Sequence, residues 1–370
     1  MKKAIVPILV ALVGICFVTY SFLDTFIIEK NARKVNIDSH SSFSFVEIPS
    51  SNSSSSSQPA STSSEFSFVD SSNLRNDQYY ENLSEAEISA LFTDKVVFKE
   101  KEHYSDADIY IDITTHRDEE DTTTYYVADI RLRSLKYFKT ALAKDTYGEN
   151  IEERTSDICK RKKGILAING DTYGAQEGGY VLRNGVMLRE DKSKAKSRAK
   201  DEDLAIYADG TFEIFNESDY TLQQIAEKGA WQVFSFGPGL VRNGQINVTE
   251  KDEVGTALNG NRNQRCAIGI VAPLHYIFFV SDGRTTDSHG FSLYHVANLM
   301  KDLHCYNAYN LDGGGSATMY LDDGTGNANG LGHLINIPTQ QLNNGFGGRG
   351  GGTTSVQQRE VSDIVYIGKE

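Results

Sequence analysis

The 370-residue sequence predicts an α+β fold of mixed, strand-rich sheets with a few helices, preceded by an N-terminal transmembrane helix and a disordered serine-rich stalk. Three observations predict it: an uncharged apolar run at residues 4–23, a serine-rich run at 39–64, and short β-branched or aromatic runs from residue 95 onward. We therefore divide the chain into a membrane anchor with its flank (1–38), a linker (39–82), a lead-in helix (83–94) and one folded domain (95–370).

Composition excludes one class of partner. Charged residues make up 24% of the chain, hydrophobic ones 39%, and the net charge is −13. A phosphate backbone is bound by clustered Lys and Arg side chains, so we expect no nucleic acid partner. We expect a soluble body of the kind found in secreted and surface proteins.

The N-terminal apolar run has the length of a membrane span. Lys2 and Lys3 precede twenty uncharged residues, 4–23, and about 20 apolar residues cross a bilayer core of ~30 Å. No small-residue cleavage motif follows, which favours an uncleaved anchor over a cleaved signal peptide. Lys30, Arg33 and Lys34 lie just beyond the span, so charge alone leaves its orientation open. We predict a single-pass cell-membrane protein with its C-terminal domain outside the cell.

The next two segments follow from local composition. Serine accounts for 14 of the 26 residues at 39–64, and such a segment buries too little apolar surface to offset the entropy of ordering. We predict a flexible stalk over residues 39–82. Ser84 and Glu87 then form a capping-box pattern that begins the lead-in helix.

Paired turn residues divide the body into strands. Asn-Gly or Asp-Gly pairs at 184–185, 209–210 and 243–244 each separate two strand-like runs, which is a strong hairpin signal. The stretch "SLYHVANLMKDLH", residues 292–304, has apolar residues at helical spacing and predicts an amphipathic helix. Cys159, Cys266 and Cys305 have no metal-ligand spacing, and either one disulfide or three buried thiols is compatible with the sequence.

Polar clusters occur at four predicted strand ends. They lie at residues 169–173, 262–265, 281–284 and 310–316. Each alone is compatible with an ordinary turn, because Asn, Gly and Asp are turn formers. Together they supply three carboxylates and three arginines on loops that a rigid scaffold holds, where catalytic residues concentrate.

The residue types in these clusters indicate a sugar joined to a phosphate. Asp312, Asp171 and Asp282 provide carboxylates of the kind that act as base or nucleophile in glycoside chemistry. Guanidinium groups bind phosphate oxygens in a bidentate fork, and successive glycines expose backbone N–H groups to an anion. On this chemistry, the predicted phosphate-binding residues are Arg262, Arg265, Arg284, Gly313, Gly314 and Gly315.

Several sharper motifs are absent from the sequence. Gly313–Ser316 lacks the Gly-Lys-Ser/Thr of a P-loop, and Ser316 lacks the G-x-S-x-G frame of a nucleophile elbow because Thr318 takes the place of the last glycine. The histidines show no tight metal-ligand spacing. The sequence makes no cofactor certain, and it leaves a divalent metal open.

The four clusters, in this order, resemble the phosphodiester glycosidase family, whose bacterial members are often called exopolysaccharide biosynthesis proteins. The resemblance covers roughly residue 165 to the end. It rests on "AINGDTY" (167–173), "FGPGLVRNGQI" (236–246), "RNQRCAIGI" (262–270), "FVSDGR" (279–284), "NLDGGGSATM" (310–319) and "VSDIVYI" (361–367).

The resemblance implies hydrolysis of a sugar-1-phosphodiester at the sugar C1–O bond. It also implies that substrate contacts come from Asn169, Asp171, Arg262, Arg265, Asp282, Arg284, Asn310, Asp312 and Ser316. Among the carboxylates we assign the base or nucleophile first to Asp312 and second to Asp171, and we expect Arg262, Arg265 and the glycines to hold the phosphate. Two other readings are compatible with the sequence: a non-catalytic surface module that binds anionic glycans, and a scaffold in polysaccharide export. The expected setting is cell-wall or exopolysaccharide metabolism.

Overall fold

A computed structural model describes residues 14–21, 23–24, 28–38, 43–48, 79–176, 178–191, 201–252, 262–325, 332–342 and 353–369. Its helices are α1 (Glu85–Leu91), α2 (Thr155–Arg161), α3 (Leu222–Glu227) and α4 (Leu293–Asp302), and residues 14–21 are also helical.

The strands, in chain order, are β1 (Lys30–Lys34), β2 (Val97–Lys99), β3 (His103–Ser105), β4 (Ile109–Asp118), β5 (Thr123–Leu132), β6 (Phe138–Leu142), β7 (Thr146–Glu149), β8 (Glu153–Arg154), β9 (Leu166–Asn169), β10 (Gly179–Arg183), β11 (Val186–Asp191), β12 (Glu202–Tyr207), β13 (Phe212–Asn216), β14 (Ala230–Phe234), β15 (Gly239–Arg242), β16 (Gln245–Ile246), β17 (Cys266–Ala272), β18 (His275–Ser281), β19 (Asn307–Leu311), β20 (Met319–Leu321), β21 (His333–Leu334), β22 (Thr339–Leu342), β23 (Thr353–Val356), β24 (Glu360–Val361) and β25 (Asp363–Ile367).

Three larger sheets hold nineteen of these strands, and the other six form the two-stranded sheets β1-β7, β8-β24 and β22-β23. The largest has nine strands in the order β16-β15-β19-β17-β18-β5-β4-β3-β2, and the two five-stranded sheets run β21-β20-β9-β25-β6 and β11-β10-β14-β12-β13. The predicted strand-rich α+β class is confirmed. The predicted mixed sheets are not, because every strand pair among the described residues is antiparallel. Tight hairpins join many of the neighbours, and an antiparallel pair is the arrangement that so short a connection allows.

The predicted hairpin turns are in place. Residues 184–185 join β10 to β11, 209–210 join β12 to β13, and 243–244 join β15 to β16. Asn184 and Gly185 have φ angles of 47° and 76°, the left-handed conformations that a two-residue type I′ turn requires.

The main core lies between the sheets. It takes fully buried side chains from all three of them, such as Ile268 and Phe278, Ile168 and Val365, and Leu204. A second cluster lies on the other face of the nine-stranded sheet, where α4 covers it with Leu293, Val296, Ala297 and Met300. The predicted amphipathic helix therefore fixes the outer face of the sheet that carries most of the candidate site residues.

Two further sequence questions have answers in the structure. Ser84 and Glu87 form the predicted capping box, and the helix they begin ends at Leu91. Cys159, Cys266 and Cys305 are free and buried, so the alternative of buried thiols holds. Burial raises the pKa of all three thiols, which keeps them protonated and unreactive.

Parts of the segment predicted as flank and stalk contact the body. β1 pairs antiparallel with β7. The rings of Phe43 and Phe45 pack edge-on against Trp231, with centroids 5.1 and 4.8 Å apart. The serine count hid these aromatic and β-branched residues, which bury enough surface to order residues 43–48.

The chain returns to the same region of the body after the serine run. Ile48 N donates to the Arg133 carbonyl at 2.7 Å, and Glu81 pairs with Arg131 at 2.5 Å, two residues away on β5. His275 lies 3.4 Å from the same Glu81 carboxylate. Both flanks of residues 49–78 are thus fixed on β5, and those thirty residues of the predicted stalk lie outside the described residues.

The predicted membrane anchor is only partly described. Residues 14–21 are helical, with exposed Ile15, Phe17 and Val18. Within the described residues, no helix has both the length and the apolar character needed to span a membrane. Residues 4–13 of the predicted span lie outside the described part, and the anchor stays a prediction.

Candidate active site

Strand pairing brings the predicted strand ends to one edge. Cys266 at the start of β17 pairs with Val280 near the end of β18 and with Leu311 at the end of β19. Because these pairs are antiparallel, the loop before β17 meets the loops after β18 and β19. The end of β9 joins from the neighbouring sheet, since Asp312 N donates to the Gly170 carbonyl at 3.3 Å.

The glycine loop after β19 forms a tight turn around the Asp312 carboxylate. Ser316 Oγ and the Gly313 backbone donate to this carboxylate, yet burial outweighs these bonds and raises the pKa of Asp312. Gly314 has a φ of 59°, a conformation that favours glycine. A Cβ on Gly313 would lie 2.6 Å from the Gln264 carbonyl. The loop can approach the segment before β17 this closely only without side chains.

Two guanidinium groups lie against this loop. Arg284 lies over Gly314, where a Cβ would be 3.3 Å from its nearest nitrogen, and Arg359 lies over Gly315, where the same distance is 3.0 Å. Arg359 Nη1 also donates to Ser316 Oγ at 3.5 Å. Burial and the nearby charge of Arg359 lower the pKa of Arg284, against the attraction of Asp312. Two cations that repel each other beside one carboxyl make a site that favours an added anion.

Asp282 is a second carboxyl with a shifted pKa. It is buried at the end of β18, and its Oδ1 accepts from Ile337 N at 2.7 Å while its Oδ2 accepts from Tyr126 Oη at 3.2 Å. Burial raises the pKa of Asp282 to about 6, against the hydrogen bonds from Ile337, Tyr126 and Asn336. A carboxyl that titrates near neutrality can both give and take a proton.

Asp171, the second predicted base or nucleophile, is fully engaged inside the protein. It is inaccessible to solvent, its Oδ1 accepts from Arg183 Nη2 at 2.6 Å, and its Oδ2 accepts from Ser235 N at 2.9 Å. Arg183 also pairs with Asp363 at 2.8 Å, and all three side chains are fully buried. These contacts give Asp171 a structural part in the folded protein and offer no free oxygen to a substrate.

Asn169 and Asn310 are also buried, which places them behind the loop. Asn169 Nδ2 donates to the Asp312 carbonyl at 2.7 Å, and its Oδ1 accepts from Thr318 N at 3.2 Å. Asn310 Nδ2 donates to the Gly237 carbonyl at 2.8 Å. Asn169 therefore holds the backbone on either side of the glycines, and Asn310 ties the end of β19 to the segment before β15. We had predicted that both side chains contact substrate.

The two predicted phosphate-binding arginines both have contacts outside the glycine loop. Arg265 Nε donates to the Phe291 carbonyl at 2.8 Å. Arg262 is partly exposed and pairs with Asp121. The structure therefore brings Arg284 and Arg359 to the glycine loop, where we expected Arg262 and Arg265.

The geometry also shows which group of side chains could hold a metal. Among the described residues this is Asp118, Asp121 and His295, whose ligand atoms lie within 4.8 Å of one another. In the structure the His295 nitrogens already contact the two carboxylates, at 2.9 Å for Asp121 and 3.2 Å for Asp118.

Three residues in or under the site were missed in the sequence analysis. Arg359 stands directly before β24, in a stretch whose signal was only that of a closing strand. Arg183 ends a strand before an Asn-Gly turn and looked like part of an ordinary hairpin. Tyr126 is one of two adjacent tyrosines in its strand-like run, and no motif in the sequence singles it out from Tyr125.

Comparison with known proteins shows which family model matches the chain and which proteins are similar to it. A model of the family described as phosphodiester glycosidase matches residues 162–367. The SPbeta prophage-derived uncharacterized protein YomE of Bacillus subtilis (strain 168) is 27% identical over 173 residues, which are 46% of this chain and 26% of that protein. This chain thus spans about a quarter of the length of that curated relative.

Solved structures resemble the described body. The catalytic domain of zebrafish N-acetylglucosamine-1-phosphodiester alpha-N-acetylglucosaminidase, auto-inhibited by its pro-peptide, superposes with a TM-score of 0.50 at 24% identity, over 71% of this chain and 83% of that chain. A hypothetical protein from Synechocystis gives a TM-score of 0.48 at 12% identity, over 71% of this chain and 62% of the other. The zebrafish likeness, at this level of identity, shows a common fold.

Proposed function

Because the matched region covers more than half of the chain, this protein belongs to the phosphodiester glycosidase family, and we propose that it hydrolyses a sugar-1-phosphodiester. The observation that carries the proposal is the placement of Arg284 and Arg359 against the glycine loop, next to the Asp312 carboxyl. A phosphate group needs cations and bare backbone N–H groups, and C1 of the sugar needs a nearby carboxylate.

In the proposed reaction the bond between C1 and the bridging oxygen breaks. Water supplies the new oxygen on C1, and the bridging oxygen leaves with the phosphate as a phosphomonoester. One proton of the water goes to a carboxylate or to the phosphate, so that atoms and charge balance. The phosphate is a weak base and leaves with little help from a general acid.

We assign the residues by their contacts. Arg284 and Arg359 hold the phosphate oxygens in bidentate fashion. Asp312 activates the water or attacks C1 directly, with Ser316 Oγ holding the carboxylate in orientation. Asp282, whose pKa is about 6 because of burial, exchanges the proton. Asn169 and Asp171 support the loop from beneath.

The proposed setting is the outer face of the cell membrane, in cell-wall or exopolysaccharide metabolism. Its support is the uncharged run at residues 4–23 and the exposed apolar side chains of residues 14–21. Polymers with sugar-phosphate linkages at that surface would provide substrates.

The test uses the detergent-solubilised full chain and a panel of sugar 1-(4-nitrophenyl phosphate) esters. Cleavage at C1 releases free sugar and 4-nitrophenyl phosphate, which turns yellow only after added phosphatase acts on it. We expect this phosphatase-dependent signal for at least one sugar, and its loss in Asp312→Asn. Repeating the assay with chelator tests the metal requirement.

Two results would contradict the proposal. Yellow colour without phosphatase would show cleavage at phosphorus. A folded protein that turns over no ester in a broad panel, while still binding anionic glycan, would support the surface-module reading.

A further inference from the structure

A hairpin outside the family-matched region holds the candidate site loop. The end of β4, the following turn and the start of β5 span residues 117–126, whereas the family model begins at residue 162. Asp282 N donates to the Thr124 carbonyl at 3.0 Å, and His289 N donates to the Thr122 carbonyl at 3.1 Å. The loop that carries Asp282 and Arg284 is therefore fixed at both ends by this hairpin.

Side chains strengthen the same connection. Thr123 Oγ1 accepts from Gly290 N at 2.9 Å, and Ser288 Oγ accepts from Thr124 N at 3.2 Å. Arg117 Nη1 donates to the Asp287 carbonyl at 2.6 Å. Arg284 itself has a φ of 57°, an uncommon conformation for a long side chain that persists only where its surroundings determine it.

One side chain of the hairpin reaches the carboxyl itself. Tyr126 Oη donates to Asp282 Oδ2 at 3.2 Å, and both residues are buried, with 8% and 5% of their surface exposed. Ile337 N donates to the other oxygen. We propose that Tyr126 is a positioning residue that tunes Asp282, by donating a hydrogen bond that stabilises the ionised carboxylate and fixes its orientation.

Tyr126 is the titratable side chain that donates to Asp282, since the charged side chains nearby make other contacts. Arg284, two residues along the same loop, has its guanidinium against Gly314. Arg265, on the segment before β17, donates to the Phe291 carbonyl. The segment after β21 contributes the Ile337 amide and the neutral Asn336 side chain.

The direction of the effect follows from this contact. A hydrogen bond to the ionised form lowers the pKa of a carboxyl, and its removal raises it. For Tyr126→Phe we expect the pKa of Asp282 to rise by roughly half to one pH unit, the range that one net hydrogen bond supplies. If a limb of the pH–rate profile reflects the ionisation of Asp282, the apparent pKa of that limb should rise by the same amount.

The adjacent Tyr125 offers a matched control. Its ring faces the opposite side of the sheet, 5.5 Å from Phe279 and 5.7 Å from Phe291. Tyr125→Phe removes the same hydroxyl from the next residue of the same strand. We expect it to leave the titration of Asp282 where it is.

The experiment measures the pKa of the Asp282 carboxyl directly and does not depend on enzyme activity. The full chain, labelled at aspartate ¹³Cγ, is titrated by NMR, with the Asp282 signal assigned from Asp282→Asn. An upward shift in Tyr126→Phe, with none in Tyr125→Phe, supports the proposal. Equal titration in the wild type and Tyr126→Phe overturns it. If Tyr126→Phe does not fold, the same titration is made with 3-fluorotyrosine incorporated at position 126. Because the fluorinated phenol is a stronger hydrogen-bond donor, the pKa of Asp282 should fall. An unchanged pKa overturns the proposal.

The catalytic meaning of this inference rests on the proposed function, and the two fail in different ways. If the panel of phosphodiesters gives no turnover, the proposed function fails, while the NMR titration still decides the role of Tyr126. If turnover occurs, Tyr126→Phe should shift the pH profile and lower kcat more than it changes KM. A change in KM alone, with an unshifted profile, would point to a merely structural contact.

Discussion

Replacing Arg183 by methionine tests the buried charge network beneath the candidate site. In the wild type the guanidinium bonds Asp171 at 2.6 Å and Asp363 at 2.8 Å, and all three side chains are fully buried. Methionine fills a similar volume but leaves both carboxyls without their cation. Since Asp171 also accepts from Ser235 N, the variant disturbs the segment after β9 that supports Asp312.

The expected loss is large. Removing one partner of a buried ion pair costs about 3–5 kcal/mol, because a charge is left uncompensated in a poorly polarisable interior. With a urea m-value of about 3 kcal/mol/M, the unfolding midpoint falls by about 1–1.7 M. The single tryptophan, Trp231, is fully buried and reports unfolding by its fluorescence.

The loss of unfolding free energy in Arg183→Met should also depend on pH. Burial raises the pKa of Asp363, and Arg183 opposes that rise. Without Arg183 the folded-state pKa goes higher still above the unfolded value. A carboxyl of this kind contributes most to stability below its unfolded pKa, and the contribution is lost as pH rises through the folded pKa. The deficit of the variant should therefore be larger at pH 8 than at pH 5, by up to about 1.4 kcal/mol per pH unit and proton.

Arg189→Met is the control. Arg189 lies on the adjoining strand, β11, and donates to the carbonyl oxygens of Tyr173, Gln176 and Gly178. Its replacement therefore leaves no buried carboxylate without a cation. We expect a smaller loss that does not depend on pH. A deficit below about 1 kcal/mol in Arg183→Met, or one equal at pH 5 and pH 8, would refute the reasoning about the network.

Three further predictions follow from the site and its surroundings. Arg359→Ala should raise KM for a phosphodiester substrate by about 10- to 100-fold, with partial recovery in Arg359→Lys, because lysine keeps the charge and loses the fork; steady-state kinetics with an unchanged KM would contradict the assigned phosphate contact. Burial raises the pKa of Asp282 to about 6, so the wild-type pH–rate profile should have a limb near that value that disappears in Asp282→Asn; a limb that persists in the variant belongs to another group. Phe45→Ala should lower the free energy of unfolding by about 1–3 kcal/mol, since it removes a partly buried ring from Trp231; urea unfolding with an unchanged midpoint would show that residues 43–48 add nothing to the fold.

Local patterns in the sequence predicted the elements well. Asn-Gly pairs predicted hairpins, because few residues adopt the two successive left-handed conformations that a tight hairpin turn needs. The spacing of Val296 and Met300 predicted α4 because one apolar stripe must face the sheet. Antiparallel pairing of β17 with its neighbours then explains why Asp282 and Asp312 come to the same edge.

Long-range contacts limited the prediction. The sequence offered several arginines near strand ends, and only the packing distinguishes Arg284 and Arg359 from Arg262. Asp171 looked like a second catalytic carboxylate because its burial with Arg183, Asp363 and Ser235 depends on how the strands pack, which the sequence does not show. The serine count predicted a stalk from residue 39, and it missed the packing of Phe43 and Phe45 for the same reason.

The position of the broken bond is the most direct test of the account. The full chain hydrolyses its best sugar-1-phosphodiester in H₂¹⁸O, and ³¹P NMR of the phosphomonoester product detects any ¹⁸O through its isotope shift. Attack at C1 predicts a product phosphate without ¹⁸O, formed at a rate that Asp312→Asn abolishes. A phosphomonoester that carries one ¹⁸O would show attack at phosphorus and contradict a glycosidase at this site.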